Sequence, residues 1–204
     1  MTRLLVHVEG QTEETFVNEV LAEHLYENGY TVVGARLFGN ARQRARRGGV
    51  KPWQAVKRDV IRHLQEDDGA VSTLMVDYYA MPKSGDGAWP GRDAACALAH
   101  ANKAALIQDQ LYADIVGELG SDLQAARFVP FVLMHEFEAL LFSDCVAFAK
   151  GVGRSDLAGA MQLVRNQFGS PEEINDSPAT APSKRVELLI EGYQKTFVWK
   201  PCRA

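Results

Sequence analysis

Short apolar runs alternate along this chain with longer segments of helical periodicity, and this alternation restricts the fold more than any other feature. Four runs rich in β-branched and aromatic residues predict strands, and apolar residues recur at helical spacing after each of them. The predicted strands are 4–8, 30–38, 71–78 and 128–134, and the predicted helices are 12–28, 53–67, 93–119 and 137–150. The alternation predicts an α/β fold in which a mainly parallel, four-stranded sheet is flanked by helices.

The last quarter of the chain is less regular and predicts a small helical extension. Helical patterns at 156–168 and 184–191 flank a polar loop rich in Ser, Pro and Asp. A chain of 204 residues, 47% of them hydrophobic, is long enough for one domain with such an appendage. We therefore expect an α/β domain at 1–150 and a helical C-terminal extension at 151–204 packed on it.

Charge and cysteine content disfavour several classes of protein. A formal net charge of -4 gives no overall attraction to nucleic acid, so such binding requires a local basic patch. The three cysteines, Cys96, Cys145 and Cys202, are far apart, which argues against a disulfide framework or a thiolate zinc site. The sequence has no signal-peptide pattern and no apolar run of membrane-spanning length, so we expect a cytoplasmic protein without a membrane partner.

Carboxylates follow three of the predicted strands. Glu9 ends the first strand, Asp77 ends the third, and Glu136 and Glu138 follow the fourth. The carboxyl ends of parallel strands line one edge of a sheet, where the active crevice of such folds lies. Carboxylates gathered there repel one another unless a cation neutralises them, and hard oxygen ligands suit Mg²⁺ or Mn²⁺. The pattern predicts a metal site for phosphate chemistry.

Several acids near the predicted strand ends also have a structural explanation. Glu13 and Glu14 are typical of the first turn of a helix, where the macrodipole favours negative charge. Asp77 is also typical of a turn or a helix cap, and Glu136 and Glu138 of a first helical turn. The coincidence of acids at three strand ends favours a site over these separate explanations.

Three motifs carry a resemblance to known proteins. EGQTEE after the first strand, MVDYY at the third and HEFEALLF after the fourth resemble the Toprim-like fold, and more closely the bacterial domain of unknown function 4276. The late segment EEINDSPATAPSKR is also similar to that family, so the resemblance spans nearly the whole chain. Toprim domains of topoisomerases, primases and overcoming-lysogenization-defect nucleases bind Mg²⁺ for phosphodiester chemistry. The resemblance implies a metal-dependent nuclease, with a role in defence against phage or mobile DNA and an ATPase partner.

The first two motifs carry residue roles with them. Glu9 matches the first-strand glutamate of Toprim domains, and Glu13 matches a second acid that the nuclease branch places one helical turn later. Asp77 matches the first acid of their Asp-x-Asp motif, whereas the second acid is replaced by Tyr79. The resemblance implies catalytic roles for Glu9, Glu13 and Asp77, and the departure at Tyr79 argues against a standard two-metal arrangement.

Two later segments extend these implied roles. Glu136 and Glu138, in HEFE, stand where the nuclease branch has an acid after its fourth strand. Lys184, in SKR, corresponds to a late lysine that stabilises phosphate charge in that branch. The resemblance thus implies catalytic roles for these three residues and metal binding by the two acids.

One segment of the chain is strongly basic. No acidic residue lies between Glu27 and Asp59, and a Gly-containing loop in that interval predicts contacts with a phosphate backbone. The predicted nucleic-acid-binding residues are Arg42, Arg44, Arg46, Arg47 and Lys51, joined by Arg185 beside Lys184. Lys83 and Arg92, on the long loop after Asp77, are further candidates. A solvated loop, or one that pairs with an acidic partner protein, is the alternative.

Two other functions are compatible with the sequence. One is a catalytically inactive Toprim-like binding module that docks on nucleic acid or a partner protein through the Arg-rich loop. The other is a metal-dependent phosphotransfer enzyme that acts on a nucleotide or a small phosphate ester. The chain has no GxxxxGK[ST] phosphate loop, so we do not expect it to hydrolyse ATP itself.

Overall fold

A parallel β-sheet forms the centre of the first of two units. The computed structural model describes residues 2–39, 50–120, 125–134, 136–174 and 180–193. The chain divides into one unit at Met1–Val132 and a second at Leu133–Ala204. The basic-loop residues Arg42, Arg44, Arg46 and Arg47 lie outside the described residues.

The sheet of the first unit confirms the predicted α/β class. Its strands are β1 (Thr2–Val8), β2 (Tyr30–Leu37), β3 (Ala70–Asp77) and β4 (Phe128–Val129), in the spatial order β2-β1-β3-β4. The pairs β1–β2, β1–β3 and β3–β4 are all parallel. A short strand β5 (Val132–Leu133), at the point where the chain divides, also pairs with β3.

The fourth predicted strand is two short strands. Residues 130 and 131 separate β4 from β5, although 128–134 reads as one apolar run. Pro130 has no backbone N–H and cannot donate to a β-ladder, so pairing stops there.

Helices connect the strands and pack on the sheet. The first connection is one continuous helical stretch of α1 (Gln11–Phe16), a π-helical turn (Val17–Leu21) and α2 (Ala22–Glu27). Gly29, with φ of 90°, follows its end, in the left-handed region that glycine adopts at little cost. The second connection contains α3 (Trp53–Glu66). The third contains a 3₁₀ turn (Ala94–Ala97) and α4 (His100–Leu119), so the predicted helix 93–119 is interrupted where Leu98 and Ala99 are extended.

The core of the first unit is built from the periodicities that the sequence displays. Alternate residues of β1 and β3 point apolar side chains into the core, and the helices add apolar side chains at spacings of three and four residues. Each large apolar side chain that is fully buried stabilises the fold by about 1.5–3 kcal/mol. The buried set includes Val6, Val8, Leu74, Val76, Val17, Val56, Val60, Leu64, Ile107, Leu111 and Ile115.

The second unit is helical. It contains a 3₁₀ helix (Phe137–Ser143), α5 (Cys145–Gly151), a 3₁₀ turn (Ser155–Leu157), α6 (Ala158–Arg165), a 3₁₀ turn (Pro171–Glu173) and α7 (Pro182–Leu189). The predicted helix 137–150 is therefore broken before α5. The break is at Asp144, whose Oδ1 accepts from the backbone N–H groups of Val146 at 3.0 Å and Ala147 at 2.8 Å, so its side chain caps a new helix.

A separate apolar cluster holds the second unit together. Its buried members are Leu141, Phe142, Cys145, Phe148, Ala149, Met161, Ile174 and Val186. Within the described parts of both units, no helix has the length and apolar composition to cross a bilayer.

Candidate functional site

The carboxyl ends of β1 and β3 carry Glu9 and Asp77 on neighbouring strands. The two strands pair in parallel with Val8 opposite Met75, so Glu9 and Asp77 follow within one and two residues of that pair. Paired strands lie about 4.8 Å apart, so the backbones of both acids lie at the same end of neighbouring strands. One oxygen of each carboxylate, Oε2 of Glu9 and Oδ1 of Asp77, is closed to solvent. The sheet thus brings these two acids to the same edge.

Glu13 folds back over the turn between β1 and α1. A Cβ atom at Gly10 would lie 2.8 Å from Glu13 Oε2, so the carboxylate occupies the space that a side chain at position 10 would need. The backbone of Gly10 is extended, with φ of -138°, a conformation that any residue adopts. A side chain at this position would therefore displace the Glu13 carboxylate without straining the backbone. Glu13 and Glu14 are also the acids of the first helical turn, which the helix dipole favours.

A cation–aromatic cluster fixes the loop that follows Asp77. Arg92 is only 2% exposed, its Nε donates to the carbonyl of Tyr78 at 2.8 Å, and its guanidinium carbon lies 3.7 Å from the centre of the Tyr78 ring. Arg92 Nη1 lies 3.1 Å from Cys96 Sγ. These contacts show that Arg92, a candidate for phosphate contact in the sequence, anchors the loop.

The same cluster makes the surroundings of Cys96 positive. Desolvation acts to raise the pKa of the Cys96 thiol, but hydrogen bonds from Arg92, Lys83 and Tyr78 outweigh it and lower that pKa. Lys103, at the start of α4, has its Nζ 5.5 Å from the centre of the Tyr78 ring. Positive side chains therefore lie directly beside the strand end that carries Asp77.

A buried chain of hydrogen bonds lies behind Glu9 and was not found from the sequence. Arg36 Nη1 is 2.6 Å from His63 Nε2, and His63 Nδ1 is 3.2 Å from His7 Nε2. Arginine is always a donor, so His63 accepts at Nε2, carries its proton on Nδ1 and donates to His7. Burial, followed by the charges of His63, Arg36 and Arg62, lowers the pKa of His7 to about 3. At neutral pH this chain contains two uncharged imidazoles, one of them two residues from Glu9.

Glu136 and Glu138 belong to the second unit, where one caps a helix and the other is buried. Glu136 Oε2 accepts from the backbone N–H of Ser183 at 3.1 Å, in the first turn of α7. This is the contact of a carboxylate that caps a helix. Glu138 is buried in the 3₁₀ helix. Burial, with the charges of Glu138 and Glu187, raises the pKa of Tyr193.

Lys184 and Arg185 are also held by contacts inside the second unit. Lys184 Nζ lies 2.7 Å from Glu187 Oε2 on the same helix. Arg185 Nε donates to the carbonyl of Thr180 at 2.8 Å, and its guanidinium lies 5.1 Å from the ring centre of Phe168. Both contacts are typical of helix-start residues, and the phosphate roles of the two cations stay predictions.

Of the five loop residues predicted to bind nucleic acid, Lys51 is the one that lies within the described part of the chain. Its carbonyl accepts from Trp89 Nε1 at 3.0 Å, and its Cε lies 3.3 Å from the position of a Cβ at Gly39. The stem of Lys51 thus packs near the end of β2, and nucleic-acid binding by this residue remains a prediction.

The edge of the sheet that carries Glu9 and Asp77, here called the acidic edge, offers oxygen donors that suit a hard divalent cation. In the described ranges, no three His, Cys, Asp or Glu side chains form a group that could hold a metal ion. Mg²⁺ in phosphate-handling sites commonly uses one or two protein carboxylates, with waters and the substrate as its other ligands. Glu9 and Asp77, from adjacent strand ends, supply such a pair.

Comparison with known proteins gives one match. The model of the family described as a domain of unknown function (DUF4276) matches residues 8–200. No curated protein and no solved structure matches this chain.

Proposed function

Since the chain belongs to the DUF4276 family, whose description assigns no activity, we propose from its acidic edge that it is a metal-dependent phosphodiester hydrolase, a nuclease. The observation that carries the proposal is the placement of Glu9 and Asp77 on adjacent parallel strand ends, each with one oxygen closed to solvent. Carboxylates brought together in this way repel one another, and a divalent cation relieves that repulsion.

Glu9 and Asp77 hold Mg²⁺ or Mn²⁺ in this proposal, and Glu13 assists the attacking water. The bound cation supplies Lewis-acid stabilisation of the phosphate and makes water more acidic. Glu13, folded over Gly10, orients a water molecule and accepts its proton. The water oxygen would form a bond to phosphorus as the ester P–O bond breaks, and the leaving alkoxide would take a proton from solvent. The products would be a phosphate monoester and an alcohol.

The predicted site residues of the second unit do not carry the proposal. The helix-capping contact of Glu136 with Ser183 favours a structural role for that acid. Glu138, Lys184 and Arg185 remain candidates for assisting the reaction or contacting phosphate. A Toprim-like relationship, phage defence and an ATPase partner are supported by the motif resemblance alone. A cytoplasmic location is supported by sequence composition alone.

The first test combines metal binding with cleavage. Glu9→Gln and Asp77→Asn each remove one charge with little change of shape, and Glu23→Gln, at an exposed position of α2, is a matched control. We expect calorimetry to detect Mg²⁺ or Mn²⁺ binding by the wild type and the control, and both to cleave plasmid or single-stranded DNA or RNA. The two site variants are expected to lose both properties. A wild type that binds no divalent cation would rule out the proposed chemistry.

A second test moves Glu13 without replacing it. Gly10→Ala leaves the extended backbone unstrained, but its Cβ displaces the carboxylate that lies 2.8 Å away. We expect the cleavage rate to fall at least about 10-fold, within the usual contribution of a general base, while stability and metal affinity stay nearly unchanged. Cleavage at the wild-type rate would remove Glu13 from the mechanism.

A binding module without activity is the second candidate, and Tyr79 favours it. An exposed tyrosine stands where the Asp-x-Asp motif has its second acid. If the chain only binds nucleic acid, Glu9→Gln will leave that binding intact and the wild type will show no turnover.

A further inference from the structure

Tyr79 presents an exposed aromatic ring in a fixed orientation beside the acidic edge. It is 53% exposed, whereas the neighbouring Tyr78 is 2% exposed. The two rings meet edge to face, with centres 5.1 Å apart and planes at 83°. Because Tyr78 is itself held by the buried Arg92, the ring of Tyr79 packs on a rigid support. A fixed, exposed aromatic ring loses little conformational freedom when a flat ligand stacks on it.

Two lysines belong to the same cluster as the Tyr78 ring. Lys103 Nζ lies 5.5 Å from the centre of that ring, and a hydrogen bond from the exposed Lys83 is one of the causes that lower the pKa of Cys96. We call Tyr78, Tyr79, Lys83 and Lys103 the tyrosine–lysine surface. An aromatic ring beside cationic side chains is the combination that proteins use to bind single-stranded nucleic acid, with bases stacked on the rings and phosphates near the charges.

We propose that the tyrosine–lysine surface binds single-stranded nucleic acid, with one unpaired base on Tyr79 and neighbouring phosphates against Lys83 and Lys103. Tyr79 is two residues from Asp77, a span of at most about 7 Å. A stacked strand advances about 3.4 Å per nucleotide, so the stacked base lies within about two nucleotides of the acidic edge. The inference rests on the proposed function in one respect: it names single-stranded nucleic acid as the substrate class of that site.

The exposed ring selects this ligand over a duplex. In a double helix each base face is covered by its neighbours, and a side chain gains access only when a base is unstacked. We therefore expect a paired strand to bind more weakly than the same strand alone.

Binding is measured separately from cleavage by removing divalent cations. Fluorescence anisotropy of a labelled single strand in EDTA reports binding to wild type, Tyr79→Ala and Tyr79→Phe. Tyr26→Ala is the control, since Tyr26 is 49% exposed in the same unit. Loss of a stacking ring costs about 5- to 150-fold in affinity, which we expect for Tyr79→Ala, whereas Tyr79→Phe and Tyr26→Ala bind nearly as the wild type does.

The lysines give an independent readout. Lys83→Ala and Lys103→Ala should each reduce the dependence of log K on log salt by about 0.7, the value for one phosphate contact on a single strand. Wild-type affinity of Tyr79→Ala, duplex binding as tight as single-strand binding, or no binding of a single strand would each overturn the inference. Failure of the proposed function has a different signature, because a chain without metal-dependent cleavage still shows the Tyr79-dependent binding in EDTA.

Discussion

His7 is a buried, uncharged histidine, and its replacement should change how the stability of the protein depends on pH. We expect His7→Gln to be tolerated, because the Gln carbonyl oxygen can accept the hydrogen bond that His63 Nδ1 donates to His7 Nε2. The substitution removes the titrating group and keeps an acceptor in its place. His24→Gln, at an exposed position of α2, is the matched control.

The magnitude follows from the difference between the folded and unfolded pKa values. Burial lowers the pKa of His7 to about 3 in the folded protein, compared with the ordinary value of 6.5 that applies to the unfolded chain. A lowered histidine pKa means that the unfolded chain binds the proton first, so stability falls as the pH drops below 6.5. Each pH unit in that range costs about 1.4 kcal/mol, which amounts to about 2 kcal/mol by pH 5.

Urea unfolding at pH 7, 6 and 5, followed by tryptophan fluorescence, measures this loss. His63 adds to the wild-type dependence in the same direction, because burial and the charges of Arg36 and Arg62 lower its pKa as well. The contribution of His7 is therefore the difference between wild type and His7→Gln. We expect the variant to lose about 2 kcal/mol less than the wild type or His24→Gln between pH 7 and pH 5. Equal losses in all three proteins would refute the assignment of a buried neutral His7.

Two further substitutions test contacts in the two units. Asp114 Oδ2 accepts from the buried Trp53 Nε1 at 2.6 Å and pairs with Lys57 at 3.1 Å, so Asp114→Ala should cost about 2–3 kcal/mol in urea unfolding. Asp114→Asn should cost less because its amide oxygen still accepts from Trp53, and a loss as large as that of Asp114→Ala would contradict this. Glu136→Gln keeps an acceptor for the backbone N–H of Ser183 and should change stability by less than about 0.5 kcal/mol, whereas Glu136→Ala should cost about 1 kcal/mol. Indistinguishable unfolding of the two Glu136 variants, followed by circular dichroism, would exclude the capping role.

The sheet was predictable because its signal is local. Residues 4–8 and 71–78 are short runs of apolar and β-branched residues, which favour a buried strand. They match β1 (Thr2–Val8) and β3 (Ala70–Asp77) to within two residues at each end. The position of Glu9 and Asp77 at one edge then follows from parallel topology alone. Their placement required no knowledge of side-chain packing.

The breaks in the predicted helices and the buried polar contacts were harder to predict from the sequence. Asp144 lies inside an apolar pattern that continues across it, and only its two hydrogen bonds to backbone N–H groups reveal a new helix start. His7 and His63 are 56 positions apart, and an isolated histidine in an apolar strand carries no sign of its partner. Arg92 was predicted only as a candidate for phosphate contact, whereas its burial depends on the Tyr78 ring and carbonyl. Such features depend on tertiary contacts, which periodicity does not encode.

In the proposed function, the residue at position 79 affects both the negative charge of the acidic edge and the binding of substrate beside it. A second acid there would add a negative charge beside Glu9 and Asp77, and would favour a second cation to balance it. Tyrosine adds none, so in the proposed function one divalent cation would balance the two strand-end acids. A phosphodiester would still bring its own negative charge to the edge. Lys103, near the Tyr78 ring, and Lys83, which hydrogen-bonds to Cys96, would offset that charge in the proposed complex. On this argument Tyr79→Asp should weaken single-strand binding in EDTA more than Tyr79→Ala does, because it removes the ring and adds repulsion.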